Sequence, residues 1–412
     1  MRAEILTIGD ELCRGEIVDT NSSYLAARLW DLDITTRWMT SCGDSADDMT
    51  AALATAVGRA DIVVCSGGLG PTEDDLTVDV VAALAGVVPA IDDASRARME
   101  AWFAGRVQVT PIQLRQVRVP TGARVHGNPA GLAPCFELAV RGVPVICLPG
   151  IPREIYGIWD GALGARLREL REAGGDVERV ARRIYRVFGR GESQIAQACA
   201  GLIEGAAGTT IHYQVKFPET LVKLVVRDRD QAVADARLAA LDARARERLA
   251  GLVYGTGEQT LPEVVAQRLI TSGKTIAVAE SCTGGMLGEM LTRTPGMSAV
   301  FLGGAIVYAN REKVRQLGVQ QATLAAHGAV SEETVREMAT GARERFATKL
   351  AVAITGIAGP DGGTPDKPVG TVLIAVAAEH GVTVKRINWP RARDEVRTLA
   401  CWWALKMIEE EV

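Results

Sequence analysis

Residues 277–285 read AVAESCTGG: an apolar run, an acid, then Ser281, Cys282, Thr283 and two glycines. Three groups with nucleophilic atoms stand where a strand gives way to a helix. A serine in that place projects at a turn, and the amides that open a helix are suited to an oxyanion or a phosphate. A nucleophilic serine needs a base within hydrogen-bond reach. Histidine is the usual base, but the chain has only four, His126, His212, His327 and His380, all remote from this segment. Lysine is the next candidate where burial or a nearby cation lowers its pKa. The stretch AIVYANREKVRQLG (305–318) supplies Tyr308 and Lys313 across a strand end and a helix start, a pair able to relay a proton to and from Ser281. Cys282 reads as a small core residue and Thr283 as the cap of the next helix.

Downstream, TGIAGPDGGTPDKPVGTV (355–372) carries five glycines and three prolines, with the Thr355 hydroxyl at its entrance. Such a loop can surround a small ligand with backbone groups. Lys367 is followed by proline, which does not fit a Walker-type phosphate loop, so ATP use is set aside. Near the start of the chain, CSGGLGPTEDD (65–75) leaves another strand. The amides around Gly67, Gly68 and Gly70 can approach an anion, and Asp74 and Asp75 can hold a divalent metal that bridges phosphates. The alternative for these acids is a favourable place at a helix N-terminus. Asp10, Glu11, Asp19, Asn21 and Asp44 follow strands in the same way and allow the same two readings.

These groups need elements to hold them. With 412 residues, the chain is expected to form two or three domains. Hydrophobic residues make up 48% and charged residues 23%, which excludes a disordered chain; a formal charge of -4 argues against a general nucleic-acid binder. The eight cysteines contain no C-x-x-C pair, which points to a reducing compartment. The N-terminus lacks the apolar core of a signal peptide and no segment has the apolar length of a membrane span, so a cytoplasmic protein without a membrane partner is expected.

Apolar runs alternating with helical patterns over residues 1–170 imply βαβ units and a mostly parallel sheet, with ligands at the carboxyl ends of strands. The helix from Asn21 is expected to be capped by Asn21 or Ser22. Residues 171–178, REAGGDVE, read as a linker. A small α+β module to residue 255 follows, with an antiparallel pair turned at Pro218–Glu219 and a long helix over 230–250. A second α/β domain fills 256–412, opened by a helix with Thr260 at its cap, Pro262 in its first turn and Glu263 three residues after the cap.

Two sets of motifs are familiar. GDELCRGEIVDTNSSYLA, SGGLGPTEDD, NPAGLAP and LPGIPREI resemble the N-terminal domain of the CinA family, which is similar to the molybdopterin-binding fold of MoaB and MogA. AESCTGG, AIVYAN..K and TGIAGPDGGTP.KPVGTV resemble that family's C-terminal, nicotinamide-nucleotide amidase domain, and the middle module stands where members carry a KH-like domain. The fold implied is α/β: two α/β domains, molybdopterin-binding-like at 1–170 and amidase at 256–412, joined by a KH-like α+β module at 171–255.

The activity implied is hydrolysis of nicotinamide mononucleotide to nicotinate mononucleotide and ammonia, with no cofactor. The resemblance makes Ser281 the nucleophile and Tyr308 and Lys313 its activating partners. The turn Cys282, Thr283, Gly284, Gly285, with Asn310, Thr355, Gly356 and Gly359, would hold the substrate, and Arg393 and Arg397 would meet its phosphate. Where the family has Gly-Asp ahead of these arginines, this chain has Arg391–Ala392. The N-terminal domain implies a second activity, an ADP-ribose pyrophosphatase dependent on Mg, Co or Mn. Asp44 and Asp75 match its acids, and Asp10 joins them as a metal ligand. Gly67, Gly68, Gly70 and Thr72 would line the phosphates, with Asn128 and Glu154 nearby; Cys135 stands where the family tends towards glycine. A homodimer is expected. The rival readings are a pyrophosphatase with a vestigial amidase site and a non-enzymatic ligand-binding scaffold.

Overall fold

A computed structural model describes residues 1–105 and 107–412. Contacts group them into two compact units, residues 1–181 with 227–234, and residues 182–226 with 235–412.

The first unit is built on a six-stranded sheet in the order Thr35–Cys42, Arg2–Ile8, Ile62–Ser66, Val143–Leu148, Cys135–Val140, Arg124–His126. The first three junctions are parallel and the last two antiparallel. Successive residues of a strand face opposite sides. Leu6, Val63 and Val145 accordingly enter one core with the helices Ala46–Arg59 and Thr77–Ala85. Ile5, Val64 and Ile146 enter the other with Thr20–Asp31 and Pro152–Ile158. Helices on both faces explain why Ile62–Ser66 is buried throughout. The helix Thr20–Asp31 is capped by Asp19, which accepts from the Ser22 amide at 2.9 Å; neither Asn21 nor Ser22 does the capping. The expected linker begins inside the helix Gly164–Ala173, whose Arg171 is buried and donates to the Asp33 carbonyl at 2.9 Å.

The middle of the chain forms a four-stranded sheet in the order Thr209–Lys216, Glu219–Asp228, Arg179–Val187, Val253–Thr256. The hairpin is antiparallel, and the pairing of Lys216 with Glu219 puts its tip at Phe217 and Pro218. The long helix spans Gln231–Arg248.

The C-terminal sheet has five strands in the order Phe301–Ile306, Ile276–Glu280, Leu350–Gly356, Thr371–Ala378, Gly381–Asn388. Its first two junctions are parallel and its last two antiparallel, so this sheet is mixed. Leu261–Ser272, Met286–Thr292 and Arg393–Glu409 cover one face; Asn310–Leu317 and Glu332–Arg345 cover the other. The expected capping box is present, with the Thr260 amide donating to Glu263 at 2.8 Å and Pro262 in the first turn. Among the described residues no helix is long and apolar enough to cross a membrane.

Candidate active site

Ser281 follows directly on the strand Ile276–Glu280, which lies between two parallel neighbours. Its amide continues the ladder by donating to the Ile354 carbonyl at 3.0 Å. The chain then turns: the Gly284 amide donates to the Ser281 carbonyl at 3.1 Å, and Gly284 and Gly285 take φ of +62° and +99°, a region that favours glycine.

The amides that open the next helix are not free, contrary to the expectation. Glu280, buried at the end of the strand, accepts from Gly285 at 3.0 Å, Leu287 at 3.1 Å and Gly288 at 2.9 Å. A carboxylate at a helix N-terminus satisfies donors left without intrahelical partners and meets the positive end of the helix dipole. The acid is thus the anchor of the serine turn, a role that its position just ahead of the glycines could have signalled. Of the turn amides expected to receive an oxyanion, Gly284 and Gly285 are occupied. Those of Cys282 and Thr283 remain, with no oxygen acceptor among the described residues.

Thr283 does not cap the helix; Gly285 occupies that place, and the fully buried Thr283 hydroxyl has no partner among the described residues. Cys282 is buried, as expected, and burial pushes its thiol up to about 11, so it stays protonated at neutral pH.

Lys313 reaches Ser281. The pairing of Glu280 with Ile306 sets Val307 beside the serine turn, and Val307 donates to the Glu280 carbonyl at 2.8 Å. Six residues on from Val307, in the helix Asn310–Leu317, Lys313 turns inward with Leu317, four residues later on the same face. Its Nζ lies 3.0 Å from Ser281 Oγ, 2.8 Å from the Val307 carbonyl and 3.3 Å from the Tyr308 carbonyl. Burial lowers the ammonium to about 8, and a cation near a helix N-terminus is disfavoured in the same direction. A neutral amine has two N–H bonds and one lone pair. With the two carbonyls taking the N–H groups, the lone pair is left to the Ser281 hydroxyl.

Tyr308 contributes its backbone to this contact, while its ring is exposed and its phenol accepts from Arg393 Nη2 at 3.0 Å. It does not stand between serine and lysine. Arg393 also donates to the Gly359 carbonyl at 2.7 Å, and Arg397, one turn later, donates to the Thr283 carbonyl at 2.9 Å. The two arginines therefore bring the N-terminus of Arg393–Glu409 against the serine turn and the glycine-rich loop. Arg397 Nε is buried without a partner among the described residues. Thr355 is buried and its hydroxyl donates to the Ala329 carbonyl at 2.8 Å, so it braces the strand end. Asn310 is exposed in the first turn of its helix. Gly359, with φ of +83°, sits where a Cβ would lie 2.6 Å from Val369, and Gly356 where one would lie 2.7 Å from Val372.

At the N-terminal site, Ile8, Asp44, Gly67, Gly68, Gly70 and Glu154 line a cavity of about 300 Å³ together with Glu11, Asp74 and Asp75. Asp10 and Asp44 are tied reciprocally: the Asp10 amide donates to Asp44 at 2.9 Å and the Asp44 amide to Asp10 at 3.2 Å. Burial raises the Asp44 carboxyl, and the charges of Asp10, Glu11 and Asp74 act the same way. Asp75 instead turns back on its own loop, accepting from the Gly70 amide at 2.7 Å and from the amide of Thr72 at 2.8 Å. Asn128 donates to Glu154 at 2.6 Å. Cys135 is fully buried in its strand, and burial raises its thiol. Among the described residues no three His, Cys, Asp or Glu side chains gather closely enough to hold a metal ion.

Comparison with known proteins covers both sites. Three family models match: the CinA C-terminal domain over residues 258–412, a molybdopterin binding domain over 4–169, and the KH domain of the damage-inducible protein CinA over 182–255. A CinA-like protein of Anaeromyxobacter dehalogenans strain 2CP-1 is 43% identical over 99% of each chain. One from Myxococcus xanthus is 39% identical, over 100% of this chain and 98% of the other. Among solved structures, the competence/damage inducible protein CihA of Agrobacterium tumefaciens is 40% identical, covering 37% of this chain and 96% of that one, with a TM-score of 0.36.

Proposed function

This chain belongs to the CinA family, and we propose that its C-terminal domain is a serine amidase that converts nicotinamide mononucleotide to nicotinate mononucleotide and ammonia. The observation that carries the reading is the 3.0 Å approach of a buried lysine to Ser281, with two carbonyls taking the amine's N–H bonds. In the proposed cycle neutral Lys313 takes the hydroxyl proton as Ser281 Oγ bonds to the carboxamide carbon. The Cys282 and Thr283 amides receive the developing oxyanion. Lys313 then returns the proton to the departing nitrogen, the C–N bond breaks, and ammonia leaves an acyl-serine. Water, activated by the same amine, hydrolyses that ester and regenerates the serine. No metal takes part in this proposed cycle.

Arg393 and Arg397, at the start of a 17-residue helix, would pair with the nucleotide phosphate, where guanidinium and helix terminus act together. Tyr308 would orient Arg393 rather than carry a proton. Ser281→Ala and Lys313→Met, assayed for ammonia release from nicotinamide mononucleotide, test the proposal; unchanged turnover in either variant would sink it.

The crowding of carboxylates around Asp44 favours a second activity in the N-terminal domain, a metal-dependent cleavage of ADP-ribose. Arg14 pairs with Asp10 at 2.5 Å, and the Glu11, Asp44 and Asp74 carboxylates that line the cavity suit a divalent cation (Mg, Co or Mn). Ions such as Mg²⁺ often use only one or two protein carboxylates and complete their shell with substrate phosphate and water. Asp44 and Asp10 would hold it, and Asp75 would shape the glycine turn. When bound, the ion would supply positive charge to the pyrophosphate; the Gly67, Gly68 and Gly70 turn and Thr72 would orient the phosphates. AMP release from ADP-ribose with and without added metal tests this activity.

A further inference from the structure

Sharing no lining residue with either site, a cleft of about 490 Å³ opens between the loop at 189–192, the hairpin tip at 215–220, the strand Gly381–Asn388 and the helix Arg393–Glu409. Its walls are aromatic. Phe217, 42% exposed at the tip, stands 6.2 Å from Trp389 with the rings 25° apart. Trp403 is flanked by Phe188 at 4.9 Å, and Lys385 Nζ sits 3.8 Å from the Trp403 ring centroid. Gly189, with φ of +99°, lets the loop pass close over Trp403, since a Cβ there would lie 3.3 Å from the indole.

The charges around these rings are mainly positive. Arg190 and Lys385 line the cleft against Glu192 and Glu219, while the Arg386 guanidinium donates to the Asp366 carbonyl at 3.0 Å. Glu219 is already neutralised by Arg186, buried with it at 2.9 Å and 3.1 Å. What remains is a concave surface with flat apolar walls and more cation than anion. A planar base finds stacking partners there, and a phosphate finds ammonium and guanidinium groups. The volume lies in the range of pockets that enclose small ligands.

We propose that this cleft is a third small-molecule site, and that it takes a nucleoside monophosphate: the base stacks at Phe217 and Trp389 and the phosphate lies between Lys385 and Arg190. The assignment does not depend on the amidase reading.

Adenosine monophosphate is the probe, titrated into the full-length chain while tryptophan fluorescence is followed. Two tryptophans, Trp389 and Trp403, line the cleft, and the response of the cleft variants below assigns the signal to it. A saturable change is expected, with adenosine about tenfold weaker for lack of the phosphate. Phe217→Ala and Lys385→Gln should each weaken the response about tenfold while melting near the parent temperature. The two substitutions act on different walls, so if one variant fails to fold the other still tests the site. No saturable change up to about 5 mM, or an unchanged response in a folded variant, overturns the proposal. Tighter binding of oligoadenylate at equal base concentration also overturns it, because the cleft would then be a single-stranded nucleic-acid surface.

Discussion

The two glycine turns of this chain occupy equivalent places and carry opposite charge. Each leaves the carboxyl end of a central parallel strand, Ile62–Ser66 in one unit and Ile276–Glu280 in the other. Each is steadied by an acid that accepts backbone amides, Asp75 after the first set of glycines and Glu280 before the second. With the turn thus held, the remaining groups set the chemistry. Around the first, Asp10, Glu11 and Asp74 raise Asp44 by adding negative charge to its burial. Around the second stand Lys313, Arg393 and Arg397, and the lysine is buried enough to fall to about 8. Under the proposed function, the first turn would take an added cation, whereas the second has cations and a base of its own.

The largest effect that tests this contrast lies at the serine turn. Lys313→Met should cut ammonia release by about a thousandfold or more, as loss of a base that works as a unit with its nucleophile does, without altering cleavage of ADP-ribose. In the parent enzyme, kcat/KM for the amidase should rise about tenfold per pH unit below pH 8 and level off above it, because the neutral amine is the active form. A profile flat from pH 6 to 9 would remove Lys313 from the base's role. Asp44→Asn should lower AMP formation from ADP-ribose by about ten- to a hundredfold and leave ammonia release as it was. If both activities fall together, the two turns are not independent sites.

Smaller effects separate anchoring from chemistry. Glu280→Gln keeps the size of the anchor and removes its charge. The variant should lose about 1–3 kcal/mol of stability, read by denaturant unfolding, and about tenfold in kcat with little change in KM. Tyr308→Phe should be the mildest, a rise in KM of about twofold to fivefold from the lost hydrogen bond to Arg393. A collapse of kcat in that variant would restore tyrosine to the proton path.

Much of the architecture was legible because it is written locally. The strand runs, the Thr260–Glu263 capping box and the hairpin near Pro218 depend on residues within a few positions of one another. The errors have a common cause. Asn21 and Ser22 are both reasonable caps by type, yet Asp19 does the capping, and the Asn21 side-chain amide donates to Ser66 at 3.1 Å and to the Gly150 carbonyl at 2.7 Å. Thr283 was expected to cap a helix whose first amides Glu280 had already taken. Tyr308 was expected to pass a proton, yet its phenol faces Arg393, 85 positions away. In each case a side chain had several chemically reasonable partners, and only packing selects among them.

The sequence by itself determined that a serine sits at a strand-to-helix turn and that a lysine, for want of a nearby histidine, is its candidate base. Gly284 and Gly285 are visible there too, but that both take positive φ is known only from the fold. Only the tertiary structure decided that Lys313 touches Ser281. That contact spans 32 positions and follows from the parallel register of Glu280 with Ile306, which brings Val307 to the serine turn and the next helix over it. The same burial that closes the contact lowers the lysine towards neutrality. Desolvation depends on what the rest of the chain packs around a group, so no local stretch of sequence contains it.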